Sequence, residues 1–174
     1  MVSSRVRLLH LADLHIGMEN YGRLEASTGV NSRVVDFLRC LDEAASYALQ
    51  NDVDLVVFAG DAYKTRNPNV TYQREVARRI QLLADGGIPG RLLVGPNVIV
   101  ADVEDIHRIV TRRGVPVQVA TVPYPGRSHL LTHDGYRNLS LEALDGALRD
   151  LITENIHALT QRIHSIRQLE PELP

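Results

Sequence analysis

Asp13, His15 and Asp61 are the residues of this chain whose types and spacing could do chemistry together. Asp13-Leu14-His15 follows directly on one apolar run, Val6 to Ala12, and Gly60-Asp61 follows on a second, Val53 to Ala59. An imidazole and two carboxylates brought to one place make most of one divalent-metal site and part of a second. Two cations held roughly 3.5–4 Å apart can clamp the attacking and leaving oxygens of a phosphate ester. A carboxylate can bridge such a pair because its two oxygens can face both ions, and Asp61 is the candidate bridge. Asp13 and His15 lie two apart, so on an extended segment their side chains would share a face. Gly60 lets the backbone approach the ions and removes a Cβ from a crowded turn. Mixed oxygen and imidazole ligation suits manganese, iron or zinc better than calcium. Each dipeptide alone is an ordinary cap or turn former. Their recurrence at two strand ends, about 45 residues apart as one βαβ unit dictates, points to a site.

Both apolar runs read as buried strands. The carboxyl ends of neighbouring parallel strands line one crevice, where ligands of open α/β sheets bind. Ile16 to Asn31 is a Gly-containing polar loop, long enough to be functional. The spacing then predicts a helix over Ser32 to Gln50, with Val34, Leu38, Leu41, Ala45 and Ala48 as its apolar stripe. A polar loop from Tyr63 to Asn69 precedes a second helix over Val70 to Asp85. There Val76, Ile80 and Leu83 face inward, and Gly86-Gly87 ends it. Arg91 to Gly95 is a third strand. This order gives an α/β layer with a mostly parallel sheet flanked by helices.

At Gly95-Pro96 the pattern breaks. Leu92-Leu93-Val94 runs almost straight into Val98-Ile99-Val100, whereas two parallel strands need a crossover of a dozen or more residues. A connecting segment is therefore expected to be missing between Gly95 and Pro96. Downstream, Asp105 to Arg112 and Val115 to Val122 read as strands separated by Gly114, and Pro123 to Gly126 as a turn. A last helix is expected from Ser140, its cap, to Arg167. Its stripe is Leu141, Leu144, Leu148, Leu151, Ile152, Ile156, Leu159, Ile163 and Ile166, expected to pack on the sheet.

Bulk properties bound the function classes. The 174 residues suit one domain with a real core, and 44% hydrophobic with 23% charged residues is a globular composition. A net charge of −2 supplies no global field for nucleic acid, so any such binding must come from local basic patches and metal. Lys64 and Arg66, just after Asp61, are the nearest candidates for contact with a phosphate backbone. The lone cysteine, Cys40, excludes an intramolecular disulfide and is expected to be a small buried hydrophobe. No signal peptide or run of transmembrane length is evident, so a cytoplasmic protein without a membrane partner is expected.

The motifs His10-Leu-Ala-Asp-Leu-His15-Ile-Gly17, Val56-Val-Phe-Ala-Gly-Asp61 and Arg91-Leu-Leu-Val-Gly95, with Ala120-Thr-Val-Pro-Tyr-Pro125, resemble the SbcD-type DNA repair nucleases. These belong to the calcineurin-like metallophosphoesterase superfamily. The resemblance implies an exonuclease and endonuclease that acts on DNA ends with two manganese ions, Mn(2+). It implies a homodimer working with an SbcC-type ATPase. It assigns Asp13 and His15 to one metal and Asp61 to the bridge. The family's third motif, Gly-Asn-His followed by an acid, is absent: Gly95 is followed by Pro96 and Asn97. The catalytic histidine of the family and its two later histidine motifs therefore have no counterpart. Residues 1–174 read as the N-terminal part of such a nuclease domain, expected to be weak or inactive alone.

Other histidines lack a ligand pattern. His10 lies within the first strand, His107 and His129 stand alone, His133-Asp134 is turn-like, and His157 and His164 fall on the polar face of the last helix. Two other readings fit the same residues. One is a metallophosphoesterase acting on nucleotides or phosphoproteins; the other is a non-catalytic dimerising or binding module.

Overall fold

Two helices on one face of a short parallel sheet organise the first part of the chain. The computed structural model describes residues 5–26, 29–91, 103–123, 126–132 and 134–169. The chain divides into two compact units, one of residues 1–100 with 110–115, the other of 101–109 with 116–174.

In the first unit, β1 (Leu8–Ala12), β2 (Leu55–Ala59) and β3 (Gly90–Arg91) form a parallel sheet in that order. Leu8 pairs with Leu55 and Ala12 with Ala59, so the two long strands end level with each other. The helices α1 (Ser32–Gln50) and α2 (Val70–Asp85) are the crossovers that parallel pairing requires. Each begins on an asparagine whose side chain accepts a hydrogen bond from the backbone two residues on, Asn31 from Arg33 N at 2.9 Å and Asn69 from Thr71 N at 2.8 Å. Gly86 and Gly87 end α2, Gly87 at φ +74° with its N–H on Ala84 O. The predicted stripes are the buried ones: Val34, Leu38 and Leu41 pack with Val76, Ile80 and Ala84, and Ala45 and Ala48 with Val53, Val56, Leu83 and Ile88.

Two sequence expectations are corrected here. Strand β1 is not buried on both sides, because its exposure alternates. Leu9 and Leu11 pack toward the helices, while Leu8, His10 and Ala12 are exposed. An apolar run cannot by itself report whether one face or two are covered. Cys40 is exposed rather than buried. It lies about 200° around α1 from Leu38 and so falls off the stripe. The Gly95–Pro96 junction, Asn97 and most of the expected third strand lie outside the described residues, as do Tyr124, Pro125 and His133.

β4 (Asp105–Val110) and β5 (Pro116–Thr121), which fall in the second unit apart from Val110, form a two-stranded sheet. Their short link, with Gly114 at φ +81°, makes it a hairpin. A short helix α3 (Arg127–Leu130) leads to α4 (Leu141–Leu169). Ser140 caps α4 as expected, its Oγ accepting from Ala143 N at 3.2 Å. Leu144 and Leu148 pack with Leu130 and Tyr136. The expected wide stripe is narrower in fact: Leu144, Leu148 and Leu159 are buried, while Leu141 and Ile156 are exposed. Arg127 grips Asp145 at 2.7 Å, and Arg162 reaches Asp105 at 3.2 Å.

Candidate metal centre at the strand ends

The β1–β2 ladder does not stop at Ala12 and Ala59. Asp13 N donates to Ala59 O at 3.2 Å, His15 N to Asp61 O at 3.0 Å, and Ile16 N to Ala62 O at 2.9 Å. Lys64 N then returns a bond to Ile16 O at 3.1 Å, and Ile16 bridges Tyr63. Main-chain pairing therefore carries Asp13, His15 and Asp61 side by side out of the sheet. Ile16, 1% exposed, anchors the far end of this extension in the core.

The local backbone differs from the expected extended segment. Asp13 has φ +52° and His15 φ +46°. Both lie in the left-handed region that non-glycine residues rarely occupy, with Asp and His among the more tolerant types. The shared-face relation assumed for an extended stretch is thus corrected: strand geometry ends at Ala12. Such conformations persist only where surrounding bonds over-determine them, and they concentrate at functional sites. Here the ladder bonds on either side hold them.

Gly60, at φ +74°, completes the corner. A Cβ at this position would run into the Asp13 carboxylate. That carboxylate occupies the space the glycine leaves and accepts a hydrogen bond from Asp61 N at 3.3 Å. Asp13 and Asp61 are exposed and His15 is half-buried, so all three are reachable by a small cation. Their oxygen, nitrogen and oxygen donors suit a borderline divalent ion. Among the described residues no three His, Cys, Asp or Glu side chains are gathered into a metal-binding group. The ladder thus sets Asp13, His15 and Asp61 close along the backbone, and their donor types, though not gathered side chains, are those a divalent cation takes.

Lys64 and Arg66 are exposed on the segment that follows. His10 is exposed on β1, and His107 Nε2 lies 3.2 Å from Thr121 Oγ1 on the hairpin. A cavity of about 360 Å³ lies elsewhere, between α1 and α2, where Arg79 is shared by Asp42 and Glu75.

Sequence reasoning missed the brace on the loop after His15. Tyr72 of α2 donates its hydroxyl to Glu19 Oε1 at 2.5 Å. That bond to a carboxylate, with burial, pushes the Tyr72 pKa up to about 12. The two residues are 53 positions apart, and no local pattern links them.

No family model matches the chain. It is 35% identical over 89 residues to the DNA double-strand break repair protein Mre11 of Haloferax volcanii, a match covering 51% of this chain and 19% of that protein. It is 32% identical over 82 residues to the SbcD component of the SbcCD nuclease of Bacillus subtilis, covering 47% and 19%. Across 97% of the chain it is 20% identical to Mre11 of Sulfurisphaera tokodaii, covering 43% of that protein. The chain thus spans less than half the length of each of these relatives. No described helix is long and apolar enough to cross a membrane. Through about half of its length, the chain is a homologue of Mre11 proteins and of the SbcD component of the SbcCD nuclease.

Proposed function

We propose that this chain is the N-terminal part of a metal-dependent DNA nuclease of the Mre11 and SbcD kind, a calcineurin-like metallophosphoesterase. The observation that carries the reading is the extended β1–β2 ladder, which sets left-handed Asp13 and His15 beside Asp61 across a glycine corner. The names of the relatives, a repair protein and a nuclease component, supply the substrate class. In this reading Asp13 and His15 would hold one divalent cation, manganese by preference, and Asp61 would be shared with a second; such ions would supply an activated water and charge stabilisation at a DNA phosphodiester. Residues 64–66 lie on the DNA side. The intact protein is a cytoplasmic homodimer that works with an SbcC-type ATPase. The Gly95–Pro96 junction marks a missing segment, where the third motif and its histidine would sit.

The chain holds three ligands of a larger set, so its metal affinity and activity alone are low. Manganese electron paramagnetic resonance tests this. The 174-residue chain should bind Mn(2+) weakly, and Asp13→Ala, His15→Ala and Asp61→Ala should each abolish binding and restore the six-line signal of free Mn(2+). No binding at all by the wild-type chain contradicts the site. Robust manganese-dependent cleavage of DNA by this chain contradicts its incompleteness. In a full-length version carrying the later motifs, Asp61→Ala should eliminate nuclease activity. Hydrolysis of a small chromogenic diester but not of DNA would favour a nucleotide or phosphoprotein phosphoesterase instead.

A further inference from the structure

The loop that follows His15 presents a single aromatic ring to solvent. Met18 N donates to His15 O at 3.3 Å, and Gly22 N donates to Glu19 O at 3.0 Å, closing a turn over residues 19–22. Tyr21 occupies the third position of that turn at φ +63°. Turns with a positive φ at this position take Gly or Asn there, and a bulky side chain is an outlier. The Tyr21 side chain is fully exposed, at 104%, so it gains no burial in return.

The turn is anchored on both sides. Before it, Glu19 accepts the Tyr72 hydroxyl. After it, Arg23 N donates to Ser32 Oγ at 3.1 Å, and Ser32 N donates to Arg23 O at 2.8 Å. Leu24 then bridges Asn31. Tyr21, Met18, Asn20 and Arg33 line an open groove of about 500 Å³, within the size range of small-ligand sites. The Arg33 side chain is half exposed. Its guanidinium sits 5.5 Å from the Phe37 ring centre and only loosely, at 3.8 Å, from Asp36. It is therefore oriented by stacking yet available to an anion.

An exposed aromatic face with an arginine lining the same groove is how proteins hold a single nucleic-acid strand: the base stacks and the cation takes the phosphate. We propose that Tyr21 and Arg33 form a subsite for an unpaired nucleobase and its phosphate, which holds a frayed or overhanging DNA strand next to the Asp13, His15 and Asp61 corner. The proposal rests on the nuclease reading and deepens it by naming the part of the substrate this loop contacts.

Fluorescence anisotropy of the 174-residue chain with a blunt duplex, and with the same duplex carrying a single-stranded overhang, tests it. A 2-aminopurine in the overhang reports stacking. The wild-type chain should prefer the overhang and quench the probe. Tyr21→Gly, which suits the left-handed turn and so preserves the fold, should weaken overhang binding by about 5- to 150-fold and abolish quenching. Tyr21→Phe should retain both. Arg33→Gln should lower affinity and reduce the salt slope by about one. Unchanged overhang binding by Tyr21→Gly overturns the proposal, as does equal affinity of the wild type for both duplexes or no DNA binding at all. Manganese binding separates the two readings. Normal Mn(2+) binding with no effect of Tyr21 sinks the subsite alone. A Tyr21 effect with no Mn(2+) binding sinks the metal reading and leaves a strand-binding groove.

Discussion

Asp54 and Asp61 stand at opposite ends of the same strand and have opposite fates. Asp54, just before β2, is 1% exposed and saturated with donors. Its carboxylate accepts from Arg113 Nε at 2.6 Å, Arg113 Nη2 at 2.5 Å and Arg7 N at 2.7 Å. Asp61, just after β2, is exposed beside a left-handed corner, and it contributes main-chain rather than side-chain bonds to the fold. One carboxylate is consumed by structure, and the other is left open to a ligand. Burial with a full set of partners marks an aspartate as a brace. Asp61 instead stands exposed beside the left-handed Asp13 and Gly60, which is where the proposed metal site would need it.

The comparison breaks most sharply at Arg113. Arg113→Met leaves the Asp54 carboxylate buried with only the Arg7 amide. The expected loss is about 2 kcal/mol, at the lower end for a buried pair because Arg113 itself reaches solvent. Urea unfolding at neutral pH measures it. The pH dependence carries a definite sign. The hydrogen bonds from Arg113, above all, hold the Asp54 pKa below its ordinary value in the folded protein. The pair's contribution is therefore complete above the ordinary carboxylate range and is lost as pH falls through the depressed folded value. Wild type and variant should converge in stability at acid pH. A gap that persists there would show that Arg113 acts by packing, and that Asp54 is no brace.

The other end of the strand is probed by Gly60→Ala. The new methyl group meets the Asp13 carboxylate, and an L-residue must adopt φ +74°. The stability cost should be about 1–2 kcal/mol. The larger consequence should be on metal: displacing Asp13 should remove Mn(2+) binding while the circular dichroism spectrum stays that of the wild type. Retained Mn(2+) affinity would show that Asp13 is no ligand, and the contrast between the two ends would collapse.

Legibility in the sequence follows the same division. Helices α1 and α2 were readable because 3.6-residue periodicity and, for α2, a glycine stop agree; their asparagine caps, Asn31 and Asn69, went unread. The two strand ends were readable because parallel strands of a βαβ unit end on the same edge of the sheet, while the register that pairs Ala12 with Ala59 belongs to the structure. The Asp54–Arg113 brace was not, although an acid at the head of an apolar run implies a buried partner. Which arginine supplies it depends on a chain reversal 59 residues away. The one-sided burial of β1 and the narrow buried stripe of α4 were missed for a related reason. Periodicity reports which residues could be covered, and only tertiary packing decides which are. The left-handed φ of Asp13, His15 and Tyr21 has no sequence signature in residues other than glycine.

The smallest expected effect lies between the two ends, at the brace over the loop. Tyr72→Phe removes one hydroxyl bond to Glu19 and leaves the ring in its cluster with Val34 and Ile80. A loss of about 1 kcal/mol is expected from one charge-assisted bond at a partly exposed position. Alkaline titration identifies the bond independently. The folded pKa of about 12 lies above the ordinary tyrosine value of 10.0, so folding favours the protonated phenol. This contribution is complete below the unfolded pKa and fades as pH rises from the ordinary value toward the folded one. Wild-type stability should thus fall more steeply than that of Tyr72→Phe across this window. Parallel alkaline profiles would remove the brace and, with it, the anchor on one side of Tyr21. If the profiles instead diverge as expected, Tyr72→Phe leaves the turn held by its Arg23–Ser32 and Leu24–Asn31 attachments, and overhang binding by that variant should weaken in step with the loop's loosening, while Mn(2+) binding at the strand ends stays unchanged.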